Sequence, residues 1–208
     1  MYKLVAFDMD GVIFKHRNFW LELHKALGTH EEGEALTKKY LKTDYKKLVE
    51  EVPGRLWKGR DAQPYHDLIR SMEYLPHVPE TLTRLREKGY KTAIISSGPR
   101  HAALRVKEEC GLDYHFTHDL KIGPDNKFTG EYDHDGNHHD KTDQLKEFAE
   151  ETNCTLHETV FVGHDYNDTI ALKAAGLGVA YNPEDDDVRK AADETITDLK
   201  ELLPLLDT

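Results

Sequence analysis

In Val5-Ala6-Phe7-Asp8-Met9-Asp10-Gly11-Val12 a strand of buried type runs into two carboxylates spaced i, i+2, and a glycine follows. Side chains two apart in an extended segment share a face, so Asp8 and Asp10 can address one ligand while Gly11 lets the backbone turn away. A capped turn needs only one acid. A carboxylate nucleophile with a second acid beside the leaving group suits phosphoryl transfer: the first attacks phosphorus, and the second protonates the departing alkoxide and later activates water. The obstacle is charge, because each pair of anions about 4 Å apart costs about 4 kcal/mol at an effective dielectric near ~20. Such a site needs a lysine, hydroxyl and amide donors, and further acids to hold a cation, each after a strand or at a helix start.

Outward from this stretch, short apolar runs alternate with helical periodicity. Lys3 to Phe7, Thr92 to Ile95, Thr159 to Val162 and Gly178 to Tyr181 read as strands. Pro79 to Lys88, Arg100 to Cys110, Lys141 to Glu151 and Asn167 to Ala175 repeat apolar residues at three- and four-residue steps. The alternation predicts an α/β fold, a parallel sheet flanked by helices, with ligands bound beyond the C-terminal ends of its strands. From Lys15 to Tyr74 only amphipathic patterns occur, such as Phe19-Trp20-Leu23-Leu27, which predicts a helical insertion over 15–74 and a core formed by 1–14 and 75–208. Gly123-Pro124-Asp125-Asn126, between Leu120-Lys121-Ile122 and Lys127-Phe128-Thr129, predicts a β-hairpin.

Composition narrows the partners. The 208 residues carry 28 basic against 39 acidic side chains, a net charge of −11, so a nucleic-acid backbone is not an expected partner. Cys110 and Cys154 follow no metal-ligand spacing and read as reduced structural thiols. The apolar stretch Leu4 to Phe7 is cut by Asp8 and Asp10, too short for a signal peptide or a membrane span, so a soluble cytoplasmic protein is expected, as monomer or homodimer.

The polar residues behind the later strands complete the set. Ile94-Ile95 runs into Ser96-Ser97-Gly98-Pro99, placing a hydroxyl and backbone N–H groups before a helix, where an anion is favoured. Lys141 opens an amphipathic helix, and Val160-Phe161-Val162 ends in Gly163-His164-Asp165-Tyr166-Asn167-Asp168. This order resembles the haloacid dehalogenase superfamily, in its phosphoserine-phosphatase-like branch: DxDG[TV], a strand-terminal serine, a lysine, then a GDxxND-like segment. The resemblance covers nearly the whole chain. It implies a Rossmann-like core, a small helical C1-type cap and magnesium, with Asp8 as nucleophile and metal ligand. Asp10 is then the general acid and base, and its backbone carbonyl also binds metal. Ser96 and Lys141 hold the phosphoryl oxygens, aided by Ser97 and Gly98, while Asn167 and Asp168 complete the phosphate and metal surroundings.

Three departures from that pattern bear on function. The family's metal-ligating aspartate after the glycine is replaced by His164, with Asp165 one position later. Asp165 with Asp168 is the expected ligand set, because a hard cation bridging phosphate prefers oxygen; an imidazole from His164 would instead suit Mn2+ or Co2+. The glutamate that receives the ammonium of phosphoserine falls at Arg17. A cation there attracts carboxylate, phosphate or sugar oxygens, so the expected substrate is a small acidic or polyhydroxylated phosphomonoester. Asp133-His134-Asp135-Gly136-Asn137-His138-His139-Asp140 precedes Lys141; its metal-capable side chains would suit a second metal site, and it reads first as a polar loop bordering the site mouth.

The expectation is thus a metal-dependent phosphomonoester hydrolase working through an aspartyl-phosphate. The alternatives are a sugar phosphomutase or other phosphotransferase of the same superfamily, against which the last motif argues, and a phosphate-binding protein that has lost turnover.

Overall fold

The computed structural model describes residues 1–16, 18–134 and 140–207. In chain order the elements are β1 (Leu4–Phe7), α1 (Phe19–Ala26), α2 (His30–Tyr40), α3 (Tyr45–Glu51), a wide-turned π-helical stretch (Val52–Trp57), α4 (Gln63–Ser71), α5 (Val78–Glu87) and β2 (Lys91–Pro99). There follow α6 (Arg100–Cys110), β3 (Tyr114–Ile122), β4 (Phe128–Asp133), α7 (Thr142–Glu151), β5 (Thr159–Gly163) and α8 (Thr169–Ala174). The chain finishes with β6 (Leu177–Tyr181), α9 (Asp186–Ala191), β7 (Glu194–Ile196) and α10 (Leu202–Leu206).

Seven strands make one sheet in the order β4-β3-β2-β1-β5-β6-β7, parallel throughout except for the β3–β4 hairpin. β1 is uninterrupted apolar sequence because both of its faces are covered. Val5 and Phe7 enter one hydrophobic cluster and Leu4 and Ala6 the other, all four fully buried. In register, Phe7 stands between Ile94 of β2 and Val162 of β5, so the residues just beyond these positions emerge together at one edge of the sheet. Strand order runs outward in both directions from β1, and the crevice at such a reversal is where α/β sheets bind ligands.

Helices fill the chain between β1 and β2, and their buried face is continuous with the sheet: Phe19, Leu23, Leu56 and Trp57 belong to the same cluster as Val5 and Phe7. The insertion leaves and rejoins the core side by side. Lys15 N donates to Glu73 O at 2.9 Å, Leu75 N to Ile13 O at 2.9 Å, and the Phe14 and Tyr74 rings stack at 4.9 Å. Trp20 Nε1 reaches across to the Ser97 carbonyl at 2.9 Å, tying α1 to the end of β2.

A small knot of packing holds the insertion's own helices. His24, buried on α1, meets Thr29 Oγ1 through Nδ1 at 2.8 Å, lies against the Trp57 ring at 4.7 Å and packs onto Gly33 of α2. Burial, with His30 nearby, pulls the His24 imidazole down to about 4, so it is neutral near pH 7. Alanine is ordinarily worth about 0.5–1 kcal/mol more than glycine inside a helix. At position 33 its Cβ would run into the His24 ring, and Gly33→Ala is expected to destabilise by about 1–3 kcal/mol. A urea midpoint equal to or above that of the unaltered protein would show that the ring moves aside freely.

Two elements differ from the sequence expectation. The hairpin's first strand begins at Tyr114, not Leu120, and its first half pairs with β2 in the main sheet. β7 adds a short edge strand. Among the described residues no helix is long and apolar enough to cross a membrane.

Candidate active site

Asp8 follows directly from β1, its N–H donating to Val162 O at 2.9 Å and its side chain buried. Lys141 sits at the N-cap of α7, buried rather than solvated. Its Nζ lies 2.8 Å from Asp8 Oδ1 and 2.6 Å from Asp168 Oδ1. Three buried charges are tolerable only when paired this closely. Asp168 is fixed further by the backbone: its Oδ2 accepts from His164 N at 2.8 Å and Asp165 N at 3.1 Å. Gly163 makes room for it, since a Cβ there would stand 2.5 Å from Asp168 Cβ.

Burial pushes the Asp8 carboxyl up, but the Lys141 charge and the adjacent His164 imidazole outweigh it and hold the group well below the usual carboxylate range. Burial lowers Lys141, yet Asp168 and Asp8 together raise it above an ordinary lysine. Asp168 is raised by burial and by the negative charge of Asp8. For His164 burial acts downward and the contact with Asp8 upward, with a net rise. Asp8 is therefore an ionised, oriented carboxylate at neutral pH, as a nucleophile must be.

Asp10 is half-buried and gripped from two sides. Its Oδ1 lies 3.0 Å from His16 Nε2, and its Oδ2 accepts from the Phe19 N–H at 2.9 Å. Between the two acids the chain tightens around the Met9 carbonyl, which accepts from Ile13 N at 2.9 Å and Phe14 N at 3.1 Å. Gly11 takes the left-handed φ of 71° that this turn requires. It also leaves space for His164, whose Nε2 would stand 2.6 Å from a Cβ at position 11.

At the end of β2 the Ser96 hydroxyl is buried and accepts from Gly98 N at 3.1 Å, so this N–H is already engaged. The hydroxyl proton of Ser96 remains for an oxyanion. Gly98 is confined by the Met9 methyl and stands within reach of Asp10, as its added Cβ would lie 3.6 Å from Asp10 Oδ1. Ser97 is half-buried with its carbonyl taken by Trp20. Asn167 Oδ1 is buried without a hydrogen bond.

The structure brings together Asp8, Lys141 and Asp168, with Asp10 beyond them and Ser96 near Asp10 through Gly98. Asp165 stands apart: it is exposed, and its Oδ1 caps the following turn by accepting from Tyr166 N at 2.6 Å. Among the described residues the group able to hold a metal ion is Asp8, His164 and Asp168, whose donor atoms all lie within 4.8 Å of one another. Arg17 and most of the histidine-rich loop, residues 135–139, lie outside the described residues. His16 went unnoticed in the sequence because nothing in its spacing marks it; only the turn around Met9 carries it back to Asp10.

A family model for haloacid dehalogenase-like hydrolases matches residues 2–176. The phosphoserine phosphatase of Archaeoglobus fulgidus is 30% identical over 188 residues, 88% of this chain and 53% of its own length. That of Methanocaldococcus jannaschii is 29% identical over 182 residues, 86% of this chain and 85% of its own. The chain thus spans about half the length of the first relative and most of the second. A substrate-bound phosphoserine phosphatase complex superposes with a TM-score of 0.83 at 28% identity, covering 99% of this chain and 98% of that one. A phospho-aspartyl intermediate analogue of phosphoserine phosphatase gives 0.82 at 28% identity, over 98% of both chains.

Proposed function

Because the chain belongs to the haloacid dehalogenase-like hydrolases, we propose that it hydrolyses a small phosphomonoester in two steps through Asp8, as a cytoplasmic phosphatase. The observation that carries this reading is the Lys141 ammonium clamped between Asp8 and Asp168 at the C-terminal edge of the sheet. It keeps the nucleophile ionised and oriented, and it offers positive charge to an approaching phosphoryl group.

In the first step the Asp8 carboxylate attacks phosphorus, the bond from phosphorus to the ester oxygen breaks, and Asp10 gives its proton to the departing alkoxide. In the second, water attacks the phosphorus of the Asp8 phosphoryl ester, Asp10 takes the water proton, and phosphate leaves with the Asp8 carboxylate restored. Ser96 and Lys141 hold phosphoryl oxygens, with Ser97, Gly98 and Asn167 around them. Asp8, the Asp10 backbone carbonyl and the last-motif residues fit a divalent cation: they supply hard carboxylate oxygens and a buried His164 Nδ1 that makes no hydrogen bond. Such a cation would offset the repulsion between the carboxylate and the phosphate. The helical insertion over 15–74 serves as the cap that excludes bulk water and selects the leaving group.

Relatives of this chain are phosphoserine phosphatases, but Arg17 stands at the offset where the family resemblance places an ammonium-binding glutamate. We therefore assign a leaving group that is acidic or rich in hydroxyls. Phosphate release measured across phosphoserine, phosphorylated hydroxy acids and sugar phosphates tests both levels. Release from none of them removes the hydrolase reading, an isomeric sugar phosphate would show a mutase, and preference for phosphoserine would remove the role given to Arg17.

His16 acts as a positioning residue for Asp10. His16→Ala leaves the carboxyl with one anchor, the Phe19 N–H, and is expected to lower kcat by about 10–100-fold with KM little changed. His16→Gln, which can still donate to Asp10, should recover part of the loss. Equal kcat in the alanine variant and the unaltered enzyme would dismiss the role.

A further inference from the structure

Resting on the reading of this site as metal-assisted, we infer that His164, through Nδ1, takes the ligand position an aspartate holds in related chains, and that the centre consequently selects a borderline cation such as Co2+ or Mn2+ over Mg2+. Two independent observations converge on the imidazole. Its side chain is only 8% exposed and its Nδ1 makes no hydrogen bond, although Asp8 Oδ2 lies 3.4 Å away and Asp168 Oδ2 3.8 Å away. A buried ring nitrogen that makes no hydrogen bond within the chain costs free energy unless something outside the chain satisfies it. The second observation is steric. The ring lies over Gly11, where any side chain would collide with it, so the turn after β1 leaves the space that the ring occupies beside the two acids.

The oxygens nearby divide unequally. Asp168 already accepts three N–H groups, from Lys141, His164 and Asp165, out of about four acceptor sites a carboxylate offers. It therefore anchors the loop more than it serves a metal. Asp8 gives Oδ1 to Lys141 and keeps Oδ2 on the side of His164. Within the group of Asp8, His164 and Asp168, the least engaged donor atoms are Asp8 Oδ2 and His164 Nδ1. Mg2+ favours an all-oxygen octahedron and dehydrates reluctantly, whereas imidazole suits first-row transition ions, with affinity rising from Mn2+ to Co2+. Asp165 is exposed and committed to its cap, so it does not supply the missing oxygen.

Binding of Co2+, Mn2+ and Mg2+ to the chelator-treated full chain tests this without reference to turnover, by titration calorimetry and by the visible ligand-field absorption of Co2+. The unaltered protein is expected to bind Co2+ at least about tenfold more tightly than Mg2+, with Mn2+ between. His164→Asp should cut the Co2+-to-Mg2+ preference by at least about tenfold and change the Co2+ spectrum, while Asp165→Asn changes neither. Should the aspartate variant fail to fold, His164→Asn removes the ring nitrogen with a neutral side chain and should lose Co2+ affinity by a similar factor. The same preference in the protein with and without His164, or loss of Co2+ binding in Asp165→Asn, overturns the assignment. Phosphate release, assayed in parallel with each cation, separates the two readings: metal selectivity without any release would sink the phosphatase and leave the ligand assignment standing.

Discussion

Replacing Asp8 with asparagine should abolish phosphate release, a fall of at least about four orders of magnitude, while the protein remains folded. An amide oxygen is too weak a nucleophile to form the phosphoryl ester, and Asp168, which faces the same lysine, is bound by three N–H donors and is not expected to substitute. The fold should survive because Lys141 keeps Asp168 as its partner. Two buried anions around one cation leave an excess negative charge, so removing one carboxylate is expected to leave the thermal midpoint unchanged or raise it. p-Nitrophenyl phosphate turnover and a thermal melt check both halves. Residual turnover within tenfold of the unaltered enzyme would move the nucleophile elsewhere.

Lys141→Met should damage stability and chemistry together. It strands Asp8 and Asp168 in a buried site without their cation, and breaking a buried ion pair from one side costs about 3–5 kcal/mol. Loss of the ammonium proposed to hold phosphoryl oxygens should lower kcat by a further ~100- to 1,000-fold in whatever fraction stays folded. Urea unfolding gives the first quantity, and turnover well below the unfolding midpoint gives the second. Combining Lys141→Met with Asp168→Asn should recover part of the stability, because one stranded charge is then gone; strictly additive losses would mean that the two side chains do not act as a pair.

Much of the core was legible because parallel strands buried on both faces leave short apolar runs. Val5-Ala6-Phe7 and Val160-Phe161-Val162 are such runs, and each ends in the polar residues that meet at the sheet edge. β3 was harder, since Tyr114-His115-Phe116-Thr117-His118 carries two histidines and, His118 apart, only partly buried side chains, so its pairing with β2 left little pattern. β7 is three residues long and two of them are exposed. In the site, Asp8, Lys141 and Asp168 stood out because each lies where a strand ends or a helix begins. The placement of His164 and Asp165, on which the proposed ligand rests, did not, because neighbouring positions in a loop differ only by backbone torsions that no periodicity reports. One turn points the imidazole inward over Gly11 and spends the carboxylate on a cap.

The adjoining stems at Ile13–Lys15 and Glu73–Leu75, laced by two backbone hydrogen bonds, let roughly a quarter of the polypeptide leave the sheet and return to nearly the same point. Such a doorway asks little of what lies beyond it except the groups that grip Asp10, namely His16 and the Phe19 N–H. A lineage could graft a foreign helical cassette between those stems and so acquire a new appetite for substrates, provided the graft restored the seal that Phe19, Leu23 and Trp57 now make with the sheet.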